Sequence, residues 1–193
     1  NPNCWLLTLV GMGGIGKSVM ARALCEDSAV QAAFPDGILW TTLGQEPDLI
    51  TKLREWIQAL GGTIGEHAPT EDTLKARLAD LLEDRACLLI VDDVWQQRHA
   101  EAFRVAGEHC RLLLTTRDAE IPRSIGIDVQ PIPTMSESEA LELLREWANG
   151  VLDEADEDIL KEIIEKLGRL PLAIKLAGAQ FQRKSPEKWL ERY

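Results

Sequence analysis

Apolar and polar positions follow two different rhythms along this chain, and the change from one to the other divides it. Five short, nearly unbroken apolar runs predict strands: Leu6 to Val10, Ile38 to Leu43, Cys87 to Val91, Arg111 to Thr115 and Ile127 to Ile132. Runs this apolar belong in a parallel sheet buried on both faces by helices. Amphipathic segments lie between them. Val19 to Cys25 predicts one helix. Leu49 to Leu60 predicts another, with Leu49, Leu53, Trp56, Ile57 and Leu60 on one face and Gly61-Gly62 as its end. Thr70, followed by Glu71 and Asp72, opens a helix that reaches about Asp84.

At Pro131 and Pro133 the strand rhythm stops, and only helical periodicity follows. Ser136 and Glu139 form a capping-box pair ahead of a helix through Trp147. A second helix, from about Asp153 to Leu167, buries Ile159, Ile163, Ile164 and Leu167 and stops at Gly168. Leu172 to Phe181 and a segment opened by Ser185-Pro186 complete the pattern. The expected architecture is therefore α/β over residues 1–133, then a small all-helical subdomain over 134–193. There is no internal repeat and no low-complexity tract.

Composition narrows the chemistry. With 45% hydrophobic and 27% charged residues, the chain reads as an ordinary globular protein. No apolar run approaches a membrane span, and no signal peptide precedes Leu6, so the expectation is a cytoplasmic protein without a membrane partner. Cys4, Cys25, Cys87 and Cys110 are scattered and read as reduced thiols, two of them in or beside apolar runs. His67, His99 and His109 have no ligand spacing. The formal charge of −11 argues against nucleic acid as a partner. The acidity concentrates between Glu137 and Glu165, where it reads as solvated helix faces. Trp40, Trp56, Trp95, Trp147 and Trp189 fall at apolar positions and are expected in the core.

The chemistry is carried by three strand ends. After the first strand comes Gly11-Met12-Gly13-Gly14-Ile15-Gly16-Lys17-Ser18, which fits G-x-x-x-x-G-K-[ST] and opens a helix. Glycine-rich turns also join strands to helices for steric reasons alone. In a phosphate loop of this kind, backbone N–H groups from Gly11 to Val19 would cradle phosphates at a helix N-terminus. Lys17 would reach the β- and γ-phosphates, and Ser18 would ligate Mg²⁺. The third strand ends in Asp92-Asp93, at the carboxyl edge where open α/β sheets bind ligands. Asp92 would hold Mg²⁺, and Asp93 would orient or deprotonate an attacking water; the bland alternative is a helix cap beside a solvated carboxylate. The fourth strand delivers Arg117 to the same edge, where a guanidinium can read a γ-phosphate. An exposed arginine after a strand is otherwise commonplace. Pro171, in Gly168-Arg169-Leu170-Pro171-Leu172-Ala173, by itself marks only a helix start.

Together, GMGGIGKS, FPDGILW, LLIVDDVW, LLLTTRD and GRLPLA resemble the NB-ARC family, the switch ATPase modules of apoptotic protease-activating factors, plant resistance proteins and bacterial relatives. GKS and TTRD resemble the animal apoptosome and bacterial branch most. The resemblance implies a P-loop NTPase with a five-stranded parallel sheet, the phosphate-loop strand lying between the fifth strand and the Arg117 strand. It implies Arg117 as γ-phosphate sensor, Pro171 beside the adenine or ribose, and ADP as a frequent tenant whose exchange for ATP drives opening. Residues 1–193 would then be the nucleotide-binding core and first helical subdomain, without winged-helix or sensor domains. Such a module is expected to be monomeric, with homo-oligomerisation belonging to a full-length protein.

Three functions compete on the sequence. The first is a regulatory switch that binds ADP or ATP with Mg²⁺ and turns over slowly, spending binding energy on two arrangements of the helical subdomain. The second is a P-loop kinase or motor-type ATPase with real turnover, but no arginine-rich lid or acceptor pocket is legible. The third is a binding module whose nucleotide is structural.

Overall fold

Strands β1 (Leu6–Val10), β2 (Gly37–Thr42), β3 (Cys87–Val94), β4 (Arg111–Thr116) and β5 (Val129–Pro131) pair in parallel in the order β2-β3-β4-β1-β5. The computed structural model describes residues 6–65, 69–105, 107–127, 129–152 and 155–192. β1 lies between β4 and β5, so the glycine loop leaves the sheet between two paired neighbours. The fifth strand is shorter than its apolar run, and Asp128 lies outside the described residues. β3 is longer, running through both aspartates to Val94.

The chain forms two compact units. One holds the chain up to Gly11 and from Lys17 to Pro131; the other holds Met12–Gly16 and the chain from Ile132 onward. The expected partition assigned the whole glycine loop to the first domain, whereas residues 12–16 group with the helical unit.

In the sheet unit, α1 (Lys17–Glu26), α2 (Ser28–Ala33), α3 (Leu49–Ala59), α4 (Glu71–Leu82), α5 (Gln97–Ala102) and α6 (Glu120–Ser124) connect the strands. Asp48 caps α3 by accepting from the Thr51 N–H, and Thr70 caps α4 through Thr73. Leu53, Trp56 and Ile57 of α3 and Leu74, Leu78 and Leu82 of α4 are buried in one core cluster with β3 and β4. Each such side chain contributes roughly 1.5–3 kcal/mol by leaving water. Trp56 meets Phe103 edge-on at 4.8 Å. The thiols of Cys25, Cys87 and Cys110 are free, and burial pushes Cys87 up to about 11. Cys4 and His67 lie outside the described residues.

In the helical unit, α7 (Glu137–Ala148), α8 (Glu157–Lys166), α9 (Pro171–Phe181) and α10 (Pro186–Leu190) enclose a second core. The Ser136–Glu139 capping box is formed in both directions. α8 starts at Glu157 under an Asp156 cap, later than the periodicity predicts. α7 and α9 pack closely at Gly178, where a Cβ would stand 2.8 Å from Trp147 Cβ and 2.9 Å from the Leu144 carbonyl oxygen.

The tryptophan expectation holds for Trp56 and Trp189 and needs correction elsewhere. Trp40 and Trp95 are half-buried, and Trp147 is 40% exposed, its ring covered by Lys175 at 4.7 Å. The buried stripe of α7 runs through Ala140, Leu144 and Ala148. Trp147 sits at its margin, with its Cβ at the interface.

Two stability outcomes follow from this packing. Gly178→Ala gains up to about 1 kcal/mol of helix propensity, but the new methyl meets a backbone carbonyl that cannot swing away. A net loss of about 1–2 kcal/mol is expected, read as a lower melting point of the helical unit by circular dichroism. His99 of α5 is fully buried, with no hydrogen-bond partner on either ring nitrogen among the described residues. Burial, with the Arg98 charge second, pulls its imidazole below the ordinary 6.5. A depressed histidine favours the fold above its unfolded pKa, and that contribution is lost as pH falls below 6.5 toward the folded value. The urea midpoint should fall more between about pH 7 and pH 5 in the wild type than in His99→Leu.

Candidate functional site

The Gly11 N–H donates to the Thr116 carbonyl at 3.3 Å, carrying sheet pairing one step past β1. Beyond it Gly14 and Gly16 adopt φ of +82° and +106°, a region that L side chains enter only under strain. The Ile15 N–H turns back to the Met12 carbonyl at 3.4 Å, and the Ile15 side chain is buried. Within the helical unit, the Leu172 N–H donates to the Gly14 carbonyl at 3.2 Å, one residue after Pro171 at the first position of α9. A Cβ on Gly14 would stand 3.0 Å from the Leu172 Cβ. Met12 is 66% exposed, and Gly13 is exposed beside it.

α1 begins at Lys17, so the N–H groups of Ser18 and Val19 lie in its first turn, where the helix itself offers no acceptor. Val19 points its side chain to solvent. Lys17 is 8% exposed, and its ammonium donates to the Gly11 carbonyl at 2.7 Å. Burial first, and the Arg117 charge second, lower its pKa, while Asp93 and Asp92 oppose the shift. All four charged groups thus act at one edge of the sheet.

Asp92 is the hub of that edge. It is 6% exposed, and its Oδ1 accepts from Ser18 Oγ at 2.7 Å and from Thr115 Oγ1 at 2.6 Å. The Thr115 hydroxyl also accepts from the Asp93 N–H at 2.9 Å. Asp93 itself is the extra residue of a bulge. The β3–β4 register pairs Val91 with Leu114 and Val94 with Thr116, setting three steps on β3 against two on β4. Asp93 takes φ +56° there, unusual for a residue with a Cβ. The neighbouring backbone locks it in place: the Leu43 and Gly44 N–H groups donate to the carbonyls of Asp92 and Asp93, and Thr116 Oγ1 donates to the Val94 carbonyl. The Asp93 Oδ1 lies 3.9 Å from Arg117 Nε, and the Arg117 guanidinium carbon lies 5.0 Å from the centre of the Trp95 ring.

The sheet unit therefore brings together Lys17, Ser18, Asp92, Asp93 and Arg117, all named from the sequence. It adds Thr115, Thr116 and Trp95, which sequence reasoning assigned to strand and core. Two hydroxyls closing an otherwise apolar strand, in Leu112-Leu113-Leu114-Thr115-Thr116, were the available signal. Ser18 and Asp92 offer a hydroxyl and a carboxylate, hard oxygen donors that suit Mg²⁺. No group of three or more His, Cys, Asp and Glu side chains poised for a metal occurs among the described residues. A cation here would draw its other ligands from water and phosphate, as Mg²⁺ commonly does.

The sheet order, the loop and the edge residues define a P-loop nucleotide-binding fold. The chain matches the model of the NB-ARC domain over residues 1–154, and it belongs to that family. It is 32% identical to apoptotic protease-activating factor 1 of Danio rerio over 196 aligned residues, covering 95% of this chain and 15% of that protein. It is 30% identical over 203 residues to disease resistance protein RPP13 of Arabidopsis thaliana, covering 97% and 24% respectively. The chain thus spans under a quarter of the length of these relatives, and it stands about equally near the animal and the plant protein. Among solved structures it resembles a signal transduction ATPase with a tetratricopeptide repeat sensor from Pyrococcus horikoshii, with a TM-score of 0.59, 16% identity, and 97% of this chain and 29% of that one covered. Cdc6p from Pyrobaculum aerophilum matches at a TM-score of 0.60 and 17% identity, over 97% and 56%. These structural likenesses concern the fold.

Thr115→Val removes both of its bonds at nearly constant volume, leaving the Asp93 N–H unpaired and Asp92 short of a donor. The expected loss is about 1–3 kcal/mol, or several degrees in melting temperature by scanning calorimetry. Thr115→Ser, which keeps the hydroxyl, should lose much less.

Proposed function

We propose that this chain is an adenine-nucleotide switch module that exchanges ADP for ATP in the presence of Mg²⁺ and hydrolyses ATP slowly. The observation that carries this reading is the shared Asp92 oxygen: one hydroxyl reaches it from the helix after the glycine loop and another from the strand that leads to Arg117. Family membership supports it, as does the bond from Lys17 to the Gly11 carbonyl, the two residues that flank the loop in sequence.

Each residue has a role in this reading. The N–H groups of Met12, Gly13, Gly14, Gly16 and Val19 bind phosphate oxygens, whereas those of Gly11 and Ile15, named with them from the sequence, are taken by the Thr116 and Met12 carbonyls. Lys17, released from the Gly11 carbonyl, neutralises the β- and γ-phosphates. Ser18 and Asp92 hold Mg²⁺, and Thr115 keeps the Asp92 carboxylate aimed. When bound, the metal supplies Lewis-acid charge that stabilises the phosphate oxygens. Asp93 accepts a hydrogen bond from the attacking water and orients it. Arg117 reads the γ-phosphate, and Pro171 packs beside the base or ribose. Differential affinity of Arg117 and Pro171 for the two nucleotides would bias two states of the module.

In the setting of the longer relatives, the module would serve a cytoplasmic signalling protein that homo-oligomerises on activation, while the module alone stays monomeric. Among the described residues no helix is long and apolar enough to cross a membrane. No nucleic-acid partner is assigned, given the charge of −11.

Thermal unfolding with Mg²⁺ and ADP, ATP or GTP tests this reading. At a ligand concentration 100-fold above Kd, stabilisation is about 2.7 kcal/mol, a rise of roughly 5–10 °C. Adenine nucleotides should give it, and GTP should give less. Turnover should stay below about 1 s⁻¹; fast phosphate release, or transfer to a small acceptor, would overturn the switch. Lys17→Ala should abolish the nucleotide-induced rise with the unliganded melting curve retained. Arg117→Ala should weaken ATP more than ADP, and equal loss of both would remove its sensor role.

A further inference from the structure

Arg117 is gripped on two sides, and both grips come from the bulged end of β3. Asp93 is the inserted residue and stands 3.9 Å from Arg117 Nε; Trp95 follows Val94 and lies under the guanidinium at 5.0 Å. The insertion shifts the side-chain alternation beyond Asp92 by one place, and the carboxylate and the indole reach the same arginine. Neither grip is tight. The arginine side chain is 53% exposed, the ion pair is longer than a hydrogen bond, and a half-solvated cation over an indole is a weak attraction. Loose holding suits a group that has to move.

Packing alone does not account for an indole at this position. The Trp95 Nε1 is buried with no hydrogen-bond partner among the described residues, which is unfavourable and would be avoided by a phenyl or aliphatic side chain. The ring face turned to Arg117 is what an indole provides here and an aliphatic side chain does not.

We propose that Trp95 and Asp93 form a resting clamp on Arg117 that a nucleoside triphosphate must open and a diphosphate leaves closed. Trp95 is then a positioning residue that sets the preference between the two nucleotides. This rests on the reading of Arg117 as the group that meets the γ-phosphate. When Arg117 moves to the third phosphate, Asp93 loses its counter-charge and its carboxylate becomes free to accept a hydrogen bond from water. With a diphosphate the pair stays closed and the carboxylate stays engaged. The strength of the clamp is therefore subtracted from triphosphate affinity alone.

Titration calorimetry with Mg·ATP and Mg·ADP on the wild type, Trp95→Leu and Trp95→Phe tests the clamp. Trp95→Leu should bind ATP about two- to fivefold more tightly, the size of one exposed cation–π contact, with ADP affinity unchanged. Trp95→Phe keeps a ring with a weaker face and should fall between; it also carries the test if the leucine variant does not fold. In an Arg117→Ala background the same substitutions should leave the ATP-to-ADP ratio where it was. A structural defect would instead weaken both nucleotides and persist without Arg117. A ratio that stays fixed, or moves toward ADP, in folded Trp95 variants overturns the clamp while Arg117→Ala still tests the sensor role on its own. A wild-type chain that binds neither nucleotide removes the functional reading, and the clamp with it.

Discussion

Asp92 is a carboxylate sealed at the end of an otherwise apolar strand, and the edge of the sheet is organised around the hydrogen bonds it accepts there. At 6% exposure it has little water, and an unpaired charge in such a place is disfavoured by several kcal/mol. Two hydroxyls replace the water: Ser18 from α1 and Thr115 from β4, at 2.7 and 2.6 Å. Both donors are spent on one oxygen, so α1, β3 and β4 must all be in register before the carboxylate is satisfied. The interaction that completes this part of the fold is the same one that assembles the candidate site. A cation entering beside Ser18 and Asp92 would take over a bond the protein already makes, at little cost in rearrangement.

The bulge at Asp93 is the second consequence of that hub. In a regular strand, Asp92 and Asp93 would point to opposite faces, and only one could serve the sheet edge. One extra residue on β3, held at φ +56°, changes where the following side chains go. Strain of this kind, of order 1–3 kcal/mol, persists only where the surroundings determine it. Here they do: the Asp93 N–H is taken by Thr115, and the carbonyls of both aspartates are taken by the N–H groups of Leu43 and Gly44. The paired threonines of β4 thus have separate tasks. Thr115 aims the carboxylate, and Thr116 ties the chain beyond it through the Val94 carbonyl.

Where apolar periodicity ran long enough to be unambiguous, the elements were legible. All five strands and the major helices were named within a few residues, because buried strands and caps such as Ser136 and Thr70 leave local marks. α2, α5 and α6 were not. With five or six residues they span less than two turns, too short for a 3.6-residue repeat to declare itself. The site was legible as a set of charged strand ends, since Lys17, Asp92, Asp93 and Arg117 interrupt apolar runs. Its hydrogen-bonded interior was not: Thr115 and Thr116 read as ordinary strand residues, and a bulge depends on two strands at once, so no single segment encodes it. Trp95 and Trp147 were misjudged because hydrophobicity places an aromatic near the core without saying which way its ring faces. In both, the ring lies under a cation.

The strong negative charge of the chain is compatible with binding an anion, because the local balance differs from the total. The excess of acid lies between Glu137 and Glu165, on residues such as Glu137, Glu142, Glu157 and Glu162 that face water and are screened by it. At the sheet edge, Lys17 and Arg117 stand against Asp92 and Asp93, and the four charges are nearly neutral as a group. Lys17 is tied to a carbonyl and Arg117 to a carboxylate and a ring, so the unliganded edge holds each positive charge on an internal substitute for phosphate. A polyphosphate with its cation would exchange those substitutes for stronger partners of the same sign. On the proposed reading, the edge would compare a ligand with its own resting contacts, and a difference of one phosphate between two nucleotides would decide which contacts hold.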